Sequence, residues 1–402
     1  MCTMVFTWAL SNALLVYCLS TSFHNAFQGD KLKTSRALAN VASTAALMDV
    51  FVSPQLGRLS DSTGRRPILI AVPLVAMLLR TTAYMYPSAF VLASIKLGNT
   101  ILSSTYSVVI RAALADQFRN QGGEKGAGAL TGNLGLISAS SGAAYSVGLF
   151  LGGRLVGVNI RLPYIASAVL TATLAVLISL RLQETLPRTA RVGFGFRPPA
   201  FGFLRLFRSG DALRRLSLAS ALQTLSISMG DTWQVFAREL RGWDAKHCSM
   251  YGSLAGLGHT ANALLIRRFV RRVGSKAYTM VATTGVVITD LVLGLGSSRA
   301  CFVTLPFNWV GRTQSVAITA RTTQVASSAG LGQGGVAGDR QNMNAIIKIL
   351  GPMLYSYLFR VGFRNGIPAL PFLFASLVAA IGGLLVLFSP KEVWGTDQKK
   401  QE

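Results

Sequence analysis

The chain has 402 residues, of which 51% are hydrophobic and only 13% charged, with a mean hydropathy of +0.45. A soluble globule carries about twice that share of charge, and folding cannot hide this much apolar surface, so the composition excludes an ordinary water-soluble protein. The 39 Lys and Arg against 15 Asp and Glu give a net charge of +24. These cations sit in short connections between apolar runs rather than in a basic stripe interleaved with aromatics, which excludes nucleic acid as a partner and points to anionic lipid headgroups.

In chain order the apolar runs fall at 1–23, 37–55, 67–86, 89–114, 134–156 and 162–182, then at 216–236, 250–266, 277–296, 301–320, 345–361 and 368–388. Crossing a bilayer takes about 20 apolar residues per helix, and a lone segment in lipid must satisfy its own backbone hydrogen bonds. The ten-residue alternation of barrel strands is absent, so all twelve runs are read as transmembrane helices. No Lys or Arg precedes Lys31, so the first run lacks the basic start of a signal peptide. It is expected to be a retained helix, in a chain whose natural N-terminus can extend further. Cys2, Cys18, Cys248 and Cys301 show no paired spacing, and neither a metal site nor a disulfide framework is expected.

The longest connection, 183–215, is rich in arginine and carries Pro187, Pro198 and Pro199. It divides the chain into an N-terminal six-helix bundle at 1–182 and a C-terminal one at 216–390, followed by a tail at 391–402. Within it, 200–207 is short and amphipathic, suited to the membrane interface. Placing 57–66 on the cytoplasmic side gathers there roughly twice as many basic residues as on the other, including Arg267, Arg268, Arg271, Arg272 and Lys276. Both termini are then expected to be cytoplasmic.

Between the second and third runs stands Gly57-Arg58-Leu59-Ser60-Asp61-Ser62-Thr63-Gly64-Arg65-Arg66. Its glycines permit a tight turn between packed helices, and Asp61 can pair with Arg65. The stretch resembles the Major Facilitator Superfamily signature G-x-L-[AS]-D-[RK]-x-G-R-[RK], departing only at Ser62. Asp116 lies where the family commonly has a second aspartate, so the resemblance implies a conformational latch of Gly57, Asp61, Gly64, Arg65, Arg66 and Asp116. In the fifth run, Gly148, Gly152 and Gly153 resemble the antiporter motif G-P-x-x-G-G with Leu149 in place of proline. Glu184-Thr185-Leu186-Pro187 resembles the close of the first half in drug and sugar branches.

The second half repeats parts of this pattern. Gly274 stands where Gly64 does, Arg271 replaces Asp61, and Gly351-Pro352 in the eleventh run parallels Gly148-Leu149. Gly148, Gly152, Gly153, Gly351 and Pro352 are read as a helix-packing motif. The resemblance covers essentially the whole chain, is closest to the drug/proton antiporter branch typified by tetracycline resistance, and implies two six-helix bundles related by a pseudo-two-fold axis.

Charges at membrane depth are costly and usually face a bundle interior or water. The candidates are Asp49, Arg80, Lys96, Asp231, His259, Asp290, Arg312 and Lys348. In the family fold, runs one, four, seven and ten line the cavity, which selects Lys96, Asp231 and Arg312. Asp231 and Arg312 are expected to pair, with Lys96 meeting an anionic or polar substrate. Asp49, His259 and Asp231 are the candidate proton carriers, while Arg80 and Lys348 are expected to snorkel from span ends. Asn308 and Gln314 can offer hydrogen bonds to a substrate.

Catalytic triads, phosphate-cradling loops and histidine–carboxylate metal clusters are all missing, so no enzymatic activity is expected. The resemblance implies a monomeric secondary transporter of a small solute, working by alternating access, without cofactor and with a proton gradient as the driving force for export. A facilitative uniporter or symporter for a sugar or organic anion, and a non-transporting membrane sensor, stay open as alternatives.

Overall fold

The computed structural model describes residues 1–118, 124–186, 188–191, 193, 203–230, 232–328 and 333–394, and every regular element among them is helical. The chain forms two compact units, one of residues 1–199 with 243–257 and one of 200–242 with 258–402. Each of the twelve apolar runs is occupied by helix. Six helical segments among the described residues are long and apolar enough to cross a membrane unaided.

The first unit contains α1 (Cys2–Ala13), α2 (Leu15–Ala26), α3 (Lys31–Thr63), α4 (Arg65–Met85), α5 (Ala89–Phe118), α6 (Glu124–Val158) and α7 (Leu162–Arg181). Asp30 starts α3 by accepting the Lys33 N–H at 2.9 Å, the usual role of an N-cap carboxylate. α4 packs between α5 and α7, α3 lies on α5, and α1 lies on α6 and α7. Trp8, Leu69, Val72, Tyr106, Val109 and Leu174 meet in the core. Facing outward instead are large apolar side chains such as Phe90, 81% exposed, and Leu180, 77% exposed, as a lipid-contacting surface requires.

The second unit holds the short α8 (Leu204–Arg208), then α9 (Asp211–Ser226), α10 (Thr232–Arg241), most of α11 (Ala245–Val273) and α12 (Ser275–Leu295). These are followed by α13 (Ser298–Val303), α14 (Leu305–Gly311), α15 (Gln314–Ser328), α16 (Gln333–Arg364), α17 (Leu370–Leu387) and α18 (Lys391–Trp394). α17 packs between α9 and α12, and α12 also meets α14 and α15. The described part of the amphipathic stretch in the long connection, from 203 on, packs within this unit. Leu206 is fully buried against Leu213, and the Arg205 guanidinium meets Asp339 Oδ2 at 2.8 and 2.9 Å.

Three membrane runs are interrupted: the first at Leu14, the seventh at 227–230 and the tenth at Thr304 and again at Arg312–Thr313. Glycines seat two of these interruptions. A Cβ on Gly152 would lie 2.6 Å from Leu14 O, and one on Gly148 would lie 2.8 Å from Leu10 O. In the second unit a Cβ on Gly351 would come within 2.1 Å of Ser228 Oγ. Tyr355, one turn further along α16, donates its hydroxyl to the carbonyls of Leu225 and Ser226 at 3.0 and 3.3 Å. Backbone groups freed by the break are thereby satisfied inside the protein, as lipid surroundings demand.

Candidate functional site

The α3–α4 connection is tighter than the sequence suggested. Residues 57–63 are the last turns of α3, and only Gly64 stands outside helix. A Cβ on Gly57 would meet nothing closer than 3.6 Å, so Gly57 provides no tight turn. Gly64 carries that burden alone, at φ 111° and ψ 162°, a region open essentially only to glycine.

Arg65 follows at once and is drawn inward. Its Nη1 donates to Asp61 Oδ1 at 2.5 Å and Ser60 Oγ at 2.7 Å, and its Nε donates to Asp116 Oδ2 at 3.1 Å. The side chains of Arg65 and Asp116 are 10% and 16% exposed, against 45% for Asp61. The Arg65–Asp116 pair is therefore shielded from solvent screening, while the Asp61 contact is a wetter one. Arg66 reaches the other way, donating from Nη2 to Ser179 O at 2.7 Å in the last turn of α7.

Glu184 completes the cluster and stands apart from the residues singled out in the signature loop. Its Oε1 and Oε2 accept the backbone N–H groups of Arg65 and Arg66 at 2.9 and 3.2 Å, capping the start of α4 from across the unit. Burial pushes its carboxyl up, but the N–H groups of Leu186, Arg65 and Arg66 and the Arg191 charge outweigh that and hold it below the usual carboxylate range. The signal was present in the Glu-Thr-Leu-Pro stretch; a helix start left without a side-chain cap was the missing reason to use it.

The second unit copies half of this arrangement. Gly274 also has positive φ, at 83°, and begins α12 as Gly64 begins α4. Two residues on, Lys276 Nζ donates to Leu387 O and Ser389 O at 2.9 and 2.8 Å, closing the end of α17 as Arg66 closes α7. Ser275 occupies the place of Arg65.

At membrane depth the ionisable residues separate by unit. Asp49 on α3 and Lys96 on α5 are half-buried in the first. Arg80 does not snorkel: it is fully buried, with Nη2 donating to Asn12 Oδ1 at 2.8 Å and Asn99 Oδ1 at 3.4 Å, and Nη1 to Ser167 O at 3.3 Å. In the second unit Asp231, and with it the expected pair to Arg312, lies outside the described residues. Among the described residues, the Arg312 charge acts on Asp290 of α12 and His259 of α11. Asp290 Oδ2 and His259 Nδ1 are both shut off from solvent without a hydrogen-bond partner. Arg312 owes its position to the break after α14, which Asn262 fixes by donating to Trp309 O at 3.2 Å and Thr313 Oγ1 at 2.9 Å. Asp290 is one of the intramembrane candidates that the sequence names without a role.

Gly153 and α11 approach closely within the first unit. A Cβ on Gly153 would come within 1.9 Å of Ser249 Oγ, and one on Gly256 within 2.5 Å of Ser146 Oγ. Ser253 Oγ donates to Ser146 O at 2.8 Å along the same seam. Gly148, Gly152 and Gly153 thus serve two contacts, one with the broken first run and one with α11.

A family profile described as Major Facilitator Superfamily matches residues 1–339. The chain belongs to the Major Facilitator Superfamily. Its curated relatives include the class G tetracycline resistance protein of Vibrio anguillarum, 31% identical over 54% of this chain and 53% of that protein. The class H protein of Pasteurella multocida is 23% identical over 78% of this chain and 77% of its own length. The match thus spans only about half the length of the first of these relatives. Among solved structures, the human organic anion transporter MFSD10 superposes with a TM-score of 0.65 at 19% identity, covering 96% of this chain and 98% of that one. The nucleoside transporter NupG superposes with a TM-score of 0.68 at 12% identity, covering 97% and 99%. At these identities the likeness concerns the fold. As a member of the Major Facilitator Superfamily the chain is an integral multi-pass membrane protein, in a family of transporters rather than enzymes.

Proposed function

We propose that this protein is a secondary active transporter that moves a small solute by alternating access, exporting it in exchange for protons. The observation that carries the reading is the Asp61–Arg65–Asp116 cluster, a charge arrangement at a one-residue turn that stabilises one conformation and can be released when helix ends separate. Proton coupling is supported by Asp290 and His259, which face the same Arg312 charge and hold buried polar atoms without partners. A carboxylate in that setting can exchange its proton for the substrate's occupancy, because either change alters the field at Arg312. Relatives named for tetracycline resistance make a tetracycline the first substrate to try. Both termini are assigned to the cytoplasmic side on the loop charges, and the carrier is assigned to act as a monomer.

The test is flux in proteoliposomes with an imposed pH gradient, offering a tetracycline, a sugar and an organic anion in turn. Gradient-driven flux is expected, reduced at least 10-fold in Asp290→Asn and slowed in Asp61→Asn. Flux indifferent to the gradient would replace this reading with facilitated diffusion, and no flux for any of the three would favour the sensor.

A further inference from the structure

Arg80 is the largest fully buried side chain among the described residues. It lies fifteen residues along α4 from Arg65, about 22 Å from the cytoplasmic start of that helix. A guanidinium stays protonated in proteins, so a full positive charge sits inside the helix packing of the first unit. Its partners are all neutral: the amide oxygens of Asn12 and Asn99 and the Ser167 carbonyl. None of the ion pairs among the described residues involves it.

The amide orientation of Asn12 is fixed, because its Nδ2 donates to Trp8 O at 2.9 Å and so turns its oxygen to the guanidinium. Two buried donors are left over. Arg80 Nε has no acceptor, and neither does the hydroxyl of Tyr106, whose ring stacks on Trp8 at 4.8 Å. Trp8 in turn presents its face to Arg80 at 5.6 Å. Surplus donors and an unbalanced cation around one indole complement a negative charge, and repel a metal ion or ammonium.

We infer that Arg80 and Tyr106, held in place by Asn12, Asn99 and Trp8, build a monovalent-anion site in the first unit, taking either chloride or the carboxylate of an organic anion. The anion neutralises the guanidinium and accepts from Nε. Its position beside the interruption of the first run at Leu14 gives an entry route whenever α1 shifts relative to α4. The organic-anion source rests on the transport reading above. Chloride does not, and binding is measured without flux, so the two can fail separately.

The test uses the full chain in lipid nanodiscs at constant ionic strength, so that screening does not change. Thermal midpoint and tryptophan fluorescence are followed as isethionate is replaced by chloride or by benzoate. A saturable rise in midpoint is expected with one of them. Chloride alone identifies a resident inorganic ion; benzoate, competing with or replacing chloride, identifies an organic carboxylate. Because Arg80→Gln can fail to fold, Asn99→Asp is the deciding variant. It sets a carboxylate beside the guanidinium, and should raise the midpoint in isethionate and weaken the apparent anion affinity at least 10-fold. A wild-type midpoint that is the same in all three anions, or an Asn99→Asp protein with undiminished anion dependence, would overturn the inference and leave Arg80 as a structural tie between four helices.

Discussion

Replacing Gly64 with alanine should open the α3–α4 turn. At φ 111° and ψ 162° an L-residue costs about 1–3 kcal/mol in backbone strain. The new Cβ would also lie 2.4 Å from Glu184 Oε2 and 2.9 Å from its Cδ, so the carboxylate must swing away. That releases the Arg65 and Arg66 N–H groups, which, with a half-exposed carboxylate, adds about 1 kcal/mol. The sum, about 2–4 kcal/mol, corresponds to a roughly 30- to 700-fold rise in local opening. Those two amides precede the first intrahelical bond of α4 and owe their protection to Glu184, so hydrogen exchange on a peptide spanning 64–68 reads the effect directly. Gly157→Ala is the control, since a Cβ there meets nothing within 4 Å. Exchange in Gly64→Ala no faster than in the control would refute both the strain and the capping arguments.

Asp116→Asn leaves the shielded Arg65 guanidinium with one carboxylate instead of two, and should cost about 1–3 kcal/mol, seen as a lower thermal midpoint, while Asp61→Asn costs less because Asp61 is wetter. Gly351→Ala should displace Ser228 and destabilise the second unit by about 1–3 kcal/mol, and the double variant with Ser228→Gly should recover most of that loss. Because the Glu184 carboxyl is held low in the folded protein, its contribution is fully present above the ordinary carboxylate value of about 4.3 and is lost as pH falls through the depressed one. Amide protection at Arg65 and Arg66, corrected for intrinsic exchange, should therefore fall in acid, and Glu184→Gln should flatten that dependence.

The helical class, the membrane placement and the Asp61–Arg65 pair were legible because apolar length and a four-residue spacing are properties of the linear chain, while Asp116 entered the grouping through the family resemblance. What escaped depended on contacts distant in sequence. Glu184 meets Arg65 across 119 positions, and nothing local says which helix start a carboxylate will cap. Arg80 looked free to snorkel because its distance from the span end was visible while Asn12, Asn99 and Ser167 around it were not. Asp290 was named but given no role, since the position of Arg312 depends on a helix break that Asn262 and Tyr278 stabilise from other helices. The reading of a tight turn permitted by both glycines of 57–66 gave too much weight to Gly57, which sits inside α3.

The two halves share a brace but not its charge cluster. Arg66 and Lys276 both tie the start of one helix to the end of another, through carbonyl oxygens that carry no formal charge. Arg65 with its two aspartates has Ser275 as its counterpart, so of the two matching helix starts only that of α4 carries ion pairs. Added salt, which shortens the Debye length from about 10 Å at 0.1 M to about 3 Å at 1 M, should then weaken the exposed Asp61 contact at the start of α4 and leave the start of α12 untouched. Two helix starts of the same shape thus differ in one respect, that only the first responds to ionic strength.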